Sequence, residues 1–444
     1  MSTFENKVFR KLNSYLEDDD KSISECKFIL SISGGVDSMA LFHCLDVLNL
    51  NYYTAHFNHN FHDKSNEISM FLDKMVIDSK SKKHFNISLE LSGAKNFESV
   101  ARAKRYFHLE NLRRRLDCDF ILTAHHLDDQ IETLHMRKIQ NTHWSNSLGI
   151  LEKLNKVRRP LLSFSKNNIL EFSNKKGIIW KEDPTNKDNS FLRNKTRNVE
   201  LPKLLSKNSE YANELLHQQL INIKRLERIT NKISKTNFND EKFTFGISLD
   251  YLKFSSFDEV GRKLILQKFI KENFDSNYIQ YSYGKWNNLF SYLTSAKKRN
   301  SIFKFSDKVS FYRADFKIYI TSNEALIMNE VCIDEKCDWF DGRFIVSKTQ
   351  KFKKYADKFQ ASLPKNLDCK VRQWKTADAY ISATSGHTRK VSDLFINNKL
   401  NYIQKRIQPI VTDINDTILW IPGLDHASIE SVQQFDRYSW ESKK

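Results

Sequence analysis

The chain has 444 residues, 40% hydrophobic and 12% aromatic, which excludes a protein that is disordered throughout. At ~100–200 residues per domain, it implies two to four domains rather than a single core. Lys plus Arg exceed Asp plus Glu by 71 to 54, a net charge of +17, so polyanionic partners are expected, nucleic acid first. Only 11 glycines and 6 prolines are present, which argues for few flexible linkers. The most apolar segments, residues 28–32 and 418–424, fall far short of the ~18 residues a membrane helix needs. The start, residues 1–20, has no apolar h-region, so a cytoplasmic protein without a membrane partner is expected. The scattered cysteines at 26, 44, 118, 332, 337 and 369 fit reduced thiols better than a disulfide scaffold.

In chain order, residues 26–33 read as a buried strand, 38–50 as a helix, 51–57 as a strand and 66–80 as a helix. The alternation continues with a strand at 84–91, a helix at 97–116, a strand at 118–124 and a helix at 127–139. That order predicts an α/β domain with a parallel sheet covered on both faces, and ligands at the carboxyl ends of its strands. Past Pro202, residues 209–234, 258–273 and 285–293 have helical spacing, and after Lys297 short strand-like runs take over. The expected division is 1–205 for the parallel-sheet domain, 206–297 for a mainly helical middle and 298–444 for an α+β tail.

The sharpest local signal is Ser33-Gly34-Gly35-Val36-Asp37-Ser38, set between the first strand and the first helix. Two glycines let phosphate oxygens approach backbone amides, and the following helix N-terminus adds donors and partial positive charge. An aspartate beside phosphates calls for a cation between them, so Asp37 reads as a magnesium ligand. The bland alternative is a glycine-rich turn with a helix cap.

Arg102 and Arg105 are spaced to share one helix face and to reach a single phosphate group together. His125-His126-Leu127-Asp128-Asp129 follows the apolar strand at 120–122, and its paired carboxylates suit magnesium or a cationic substrate. One of the pair is expected only to cap the next helix, where Glu132 also lies. Trp180-x-Glu182-Asp183-Pro184-Thr185-Asn186 reads as a turn that presents the Asp183 carboxylate, and Arg193 and Arg197 follow closely. Arg113 to Arg115, and in the tail Arg389 and Lys390 among Phe395, Tyr402 and Trp420, suit RNA contact, although a basic face over buried rings would look the same.

The loop at 33–38 resembles the pyrophosphate-binding loop of the PP-loop ATPases. Glu98-x-x-Ala101-Arg102-x-x-Arg105-Tyr106, Thr123-Ala124-His125-His126-Leu127-Asp128-Asp129-Gln130-x-Glu132-Thr133, Arg159-Pro160-Leu161-Leu162, the 180–186 segment and Arg193-Asn194-x-x-Arg197 then follow in that order. Over roughly residues 26–205 these are similar to the tRNA(Ile)-lysidine synthetase family, and Gly386 through Arg389-Lys390-Val391-x-Asp393-Leu394-Phe395 to Leu419-Trp420-Ile421-Pro422-Gly423 resembles that family's C-terminal domain.

The resemblance implies an adenine nucleotide alpha hydrolase-like N-terminal domain that uses ATP and Mg2+. It also implies ligation of L-lysine to C2 of the wobble cytidine in tRNA(Ile) with a CAU anticodon, through an adenylated tRNA and with release of AMP and pyrophosphate. On that basis Ser33 to Ser38 bind the nucleotide, and Asp37, Arg102, Arg105, Asp128 and Asp129 are the catalytic candidates. His125, Glu132, Asp183, Arg193, Arg197, Arg389 and Lys390 are candidates for contact with lysine or tRNA. A homodimer is compatible with the resemblance, and no residue fixes the oligomeric state.

Two departures stand out. His62 falls where the family's His-x-x-His-x-x-Arg pattern, begun here by His56 and His59, has Arg. The stretch 138–150 replaces a glycine-rich, arginine-containing loop and keeps only Gly149 of its glycines, with Asn141 and Asn146 available for positive-φ turns. The competing readings are a sulfur-inserting PP-loop tRNA modifier, which would want a reactive cysteine near the loop, and a tRNA-binding protein without catalysis.

Overall fold

The structure is a computed structural model that describes residues 2–16, 21–58, 63–89, 97–181, 188–190, 192–274, 283–295, 301–314, 316–348, 357–365, 367–429 and 434–442. The chain divides into two compact units, Met1–Glu227 and Arg228–Lys444.

Apolar runs flanked by polar turns form the first unit's sheet. Its strands are β1 (Lys27–Ser31), β2 (Asn51–Asn58), β3 (His84–Ser88), β4 (Phe120–Leu122), β5 (Lys153–Leu154) and β6 (Val157–Arg158), in the order β3-β2-β1-β4-β6-β5. All neighbours pair parallel except β5 with β6. Side chains alternate between the two faces. Phe28, Leu30, Phe120 and Leu122 pack on one side with α1 (Thr3–Asn13), α2 (Val36–Val47) and α6 (Lys166–Lys176). Ile29, Ala55 and Ile121 pack on the other with Leu109 and Leu112 of α4 (Phe97–Arg115). Each such buried Phe, Leu or Ile side chain contributes about 1.5–3 kcal/mol.

The remaining helices of this unit are α3 (Asp63–Ile77), α5 (Leu127–Ile139), α7 (Leu192–Lys195), α8 (Leu201–Lys207) and the part of α9 (Tyr211–Lys235) up to Glu227. The strand order reverses direction between β1 and β4, which opens a crevice at their carboxyl ends. The loop at 33–38 and the 125–129 segment both lead out of that crevice.

The second unit contains strands where a mainly helical middle is expected. Residues 241–243, 246–250, 317–322, 309–313 and 303–304 form one antiparallel sheet in that order. Helices Glu259–Asn273 and Tyr283–Thr294 share its core through Ile265, Phe269, Trp286 and Leu289. A boundary at 297/298 would cut this sheet, because the 246–250 strand pairs with 317–322. Gly246 makes the pairing feasible: a Cβ there would sit 2.0 Å from the Ile320 carbonyl oxygen.

The tail carries a four-stranded and a five-stranded antiparallel sheet with two short helices, Val391–Asn397 and Tyr402–Ile407, as an α+β reading requires. Phe395 and Trp420 are fully buried, so both belong to the core and neither is presented for base stacking. All six cysteines are free thiols. Among the described residues no helix is long and apolar enough to cross a membrane.

Candidate active site

The chain leaves β1 through Ile32 and turns at Gly34, whose φ of 84° lies in the region glycine favours. A Cβ at Gly34 would stand 3.0 Å from Ile68 of α3, so the turn is also packed from behind. Ser38 Oγ donates to the Gly35 carbonyl at 2.9 Å and accepts from the Ser33 amide at 3.2 Å, which folds the loop back on the start of α2. Gly35 is the N-cap of α2 and makes no side-chain capping bond. The first-turn amides of α2 therefore gain nothing from that position, as suits an anion-binding loop. The Lys181 amide donates to the Gly34 carbonyl at 2.9 Å and holds the 178–181 segment against the loop.

Asp37, on the first turn of α2, points back toward the end of β4. Its carboxylate lies 3.7 Å from His126 Nε2, and His126 in turn lies 3.7 Å from Asp128 and 3.4 Å from Asp129. The parallel order thus joins two motifs ninety residues apart around one buried imidazole. Burial works against protonation of His126, but the Asp128, Asp129 and Asp37 charges prevail and raise its pKa. His125, next to it, is driven the other way by burial, reinforced by the Arg159, Arg102 and Arg193 charges. It is therefore neutral, with Nδ1 2.9 Å from the Thr123 hydroxyl.

Both aspartates of the pair have local structural work. Asp129 Oδ2 accepts from the His126 amide at 3.1 Å at the start of α5, and Asp128 Oδ2 accepts from the Lys166 amide at 2.8 Å at the start of α6. Their exposures differ: the Asp128 side chain is 47% accessible and that of Asp129 12%. Asp129 Oδ1 also receives Arg193 at 2.9 Å and Arg197 at 3.0 Å, and the buried Glu132 receives Arg193 at 3.0 Å and Arg197 at 2.5 Å. These two arginines act as partners of Asp129 and Glu132, where a purely RNA-facing role would leave them in solvent. Asp129 stays depressed despite its burial because His126 and Arg193 favour its charge.

Arg102 and Arg105 are less alike than their spacing suggests. Arg102 is exposed, 5.4 Å above the Tyr106 ring, and its charge bears on His125. Arg105 lies deeper, its pKa lowered by burial, and its charge bears on His56, whose Nδ1 is 3.1 Å from the Ile32 carbonyl. Arg113 and Arg114 both pair with Glu110 at 2.8 Å, and Arg113 also donates to the Cys118 carbonyl. The triple arginine is therefore largely occupied within α4. In the tail, Arg389 donates to the buried Asp425 at 3.2 Å and Lys390 is exposed. Asp183 with the rest of 182–187, as well as His59 and His62, lie outside the described residues, and the Glu98 side chain is likewise not described.

Sequence reasoning passed over Lys166. Its Nζ lies 2.8 Å from both carboxylate oxygens of Asp37. No local pattern marks it, because the contact spans 129 residues of chain. The stretch after α5 takes its shape from buried glutamines: Gln130 bonds both backbone groups of Ile150, and Gln219 donates to the Leu148 carbonyl at 2.8 Å. Asn141 and Gly149 have φ of 48° and 66°, whereas Asn146 closes a short 3-10 turn at negative φ.

The family model of the PP-loop domain, ATP_bind_3, matches residues 4–204. The tRNA(Ile)-lysidine synthase of Staphylococcus aureus strain MRSA252 is 29% identical over 435 residues, covering 89% of this chain and 93% of the relative. That of Enterococcus faecalis is 31% identical over 195 residues, 42% of each chain. Among solved structures, a U34-tRNA thiolase from Methanococcus maripaludis aligns with a TM-score of 0.40 at 16% identity, over 50% of this chain and 78% of its own. Residues 4–204 thus match a PP-loop domain, and over most of its length the chain is similar to tRNA(Ile)-lysidine synthases.

Proposed function

We propose that the protein joins L-lysine to C2 of the wobble cytidine of tRNA(Ile) bearing a CAU anticodon, using ATP and forming lysidine through an adenylated tRNA. The observation that carries the reading is the meeting of the phosphate-binding loop with the 125–129 acidic segment, with Asp37 and Asp129 both facing His126 Nε2, at 3.7 and 3.4 Å. An adenylating ligase needs a polyphosphate cradle and a carboxylate for a cationic nucleophile within one crevice.

In this reading Gly34, Gly35 and the first turn of α2 bind the outer phosphates, with Ser33, Val36 and Ser38 shaping the loop. Arg102 stands on the exposed side of α4, where it can meet the α-phosphoryl group as cytidine O2 attacks and pyrophosphate departs. Arg105 supports the same wall from inside. Asp128, the more accessible carboxylate, receives the lysine ε-ammonium and takes its proton as the neutral amine displaces AMP. Asp129 and Glu132, braced by Arg193 and Arg197, fix the floor of that subsite. Arg389 and Lys390, with the net positive charge, serve tRNA backbone contact.

Asp37 suits a hard cation, since its two oxygens already chelate an ammonium at 2.8 Å. No group of three ligating side chains gathers among the described residues, so a magnesium ion would be held by Asp37 together with phosphate oxygens. When bound, such an ion supplies charge neutralisation for the leaving pyrophosphate. Sulfur transfer fits less well. Cys44 and Cys118 are buried, which raises both thiol pKa values, that of Cys118 to about 11, and a nucleophilic cysteine needs the opposite.

The test mixes purified protein, ATP, magnesium, labelled lysine and unmodified tRNA. Label should enter only the CAU isoleucine species; incorporation into all tRNAs, or into none, rejects the assignment. Asp37→Ala should keep tRNA affinity and lose turnover by about 10²–10³-fold. An unchanged rate in that variant would remove Asp37 from the catalytic set, whereas tRNA binding without turnover in the wild type would point to a protein that only binds tRNA.

A further inference from the structure

The Lys166 ammonium stands in the crevice, and the reaction as described assigns it no part. It sits on the first turn of α6, behind the N-cap Ser165, whose hydroxyl accepts from the Asn168 amide at 3.2 Å. Two bonds tie the residue to two different motifs: its backbone amide to Asp128 at 2.8 Å and its Nζ to both oxygens of Asp37 at 2.8 Å. The first bond fixes where the side chain starts, and the second shows that it reaches the mouth of the phosphate loop. The lysine side chain remains 36% accessible and that of Asp37 24%, so the pair stands at the wall of the crevice with water on one side.

A pair of that exposure is worth little as a structural strut, about 0–1 kcal/mol. Its geometry is informative all the same. A carboxylate at the phosphate loop would repel a triphosphate, and here an ammonium chelated by both of its oxygens cancels that repulsion before any ligand arrives. Lysine is a compact point charge on a flexible four-carbon stem, able to exchange one anionic oxygen for another without backbone movement. Nucleotide entry brings such oxygens within its reach, together with a divalent cation that competes for Asp37.

We propose that Lys166 is a polyphosphate-binding residue that rests on Asp37 in the free protein and transfers its ammonium to the leaving pyrophosphate portion of ATP, giving up Asp37 to the divalent cation. The inference rests on the nucleotide-binding part of the functional reading and not on tRNA or lysine. The backbone bond to Asp128 persists through the exchange, so the same residue links occupancy of the phosphate loop to the carboxylate assigned to lysine.

Binding measurements on the full chain, with neither tRNA nor lysine, test it. Wild type, Lys166→Ala, Lys166→Gln and Lys166→Arg are titrated calorimetrically with magnesium ATP, with magnesium AMP and with magnesium alone. Removing one charge-assisted contact should weaken ATP about tenfold or more in the Ala and Gln variants and leave AMP within about twofold, with Arg restoring most of the ATP affinity. Magnesium alone should bind the Ala and Gln variants more tightly than wild type, because the competing ammonium is gone. A strut that merely orders the loop would lose ATP and AMP together and gain no magnesium affinity, and either that pattern or unchanged ATP binding overturns the proposal. Should wild type fail to label tRNA while ATP binding falls in Lys166→Ala, the tRNA assignment is wrong and the role of Lys166 stands. If Lys166→Ala does not fold, the uncharged polar Gln variant and the Arg variant decide the question.

Discussion

At the scale of single residues, the site depends on opposed protonation preferences of adjacent histidines. His126 is surrounded by Asp128, Asp129 and Asp37, which raise its pKa, so the stability it adds is complete below its ordinary value of about 6.5 and is lost as pH rises through the higher folded value. Asp128 and Asp129 are depressed, and their contribution holds above about 3.9 and is lost as pH falls through their lower folded values. An imidazole NMR titration should find His126 titrating above the usual range and His125 below it, and Asp129→Asn should bring His126 down. A His126 that titrates normally in both proteins would remove the acidic cluster from the account. The sequence made the carboxylates and the loop visible because their residue types are unusual beside an apolar strand. It concealed the service of His126 as hub, since a histidine before a helix is as often a cap, and it concealed Lys166, one lysine among many until the fold carries it to Asp37.

At the scale of elements, the strands and helices between residues 26 and 139 were readable because each is an apolar run of characteristic length bounded by polar turns, whereas the helices at 3–13 and 166–176 and the short strands at 153–158 were not. The helix at 127–139 is found over those same residues. The hairpin at 241–250 was not readable: its strand Glu241–Phe243 is largely exposed and acquires its pairing from Gly246–Asp250, which is itself covered by Lys317–Ser322. The 140–150 stretch shows how a glycine-poor loop can still hold one shape. Buried Gln130 clamps Ile150, Asn141 takes a left-handed turn, and Trp144 lies 4.1 Å beneath Arg225 of α9. Gly149→Ala should be costly here, since φ is 66° and the new Cβ would meet Gln130 Oε1 at 2.5 Å. We expect a loss of about 1–2 kcal/mol in urea melts. Asn146→Ala, at negative φ, should fall within about 0.5 kcal/mol of wild type. Equal costs at the two positions would mean that the loop is not held by the glutamine clamp.

At the scale of the whole molecule, the charge of +17 governs association more than folding. The tRNA affinity should fall steeply with salt, with a log–log slope of about −4 or steeper, and Lys390→Ala should make that slope shallower by about one unit if Lys390 meets a phosphate. Arg389→Ala should act differently, because Arg389 is tied to Asp425 alongside Tyr380 and Ser382. Its loss should lower the stability of the second unit as well as RNA affinity, and a change in affinity alone would mean that the pair with Asp425 carries no structural weight. By itself the sequence determined the parallel-sheet class of the first unit, the phosphate loop and the order of the motifs, since apolar periodicity and glycine placement are local properties. Only the tertiary structure decided which charges face one another: Lys166 with Asp37, Arg193 and Arg197 with Asp129 and Glu132, and Phe395 and Trp420 in the core. Ion pairing and burial depend on distance in space, and the fold brings side chains 61 to 129 residues apart in sequence to within a few ångströms.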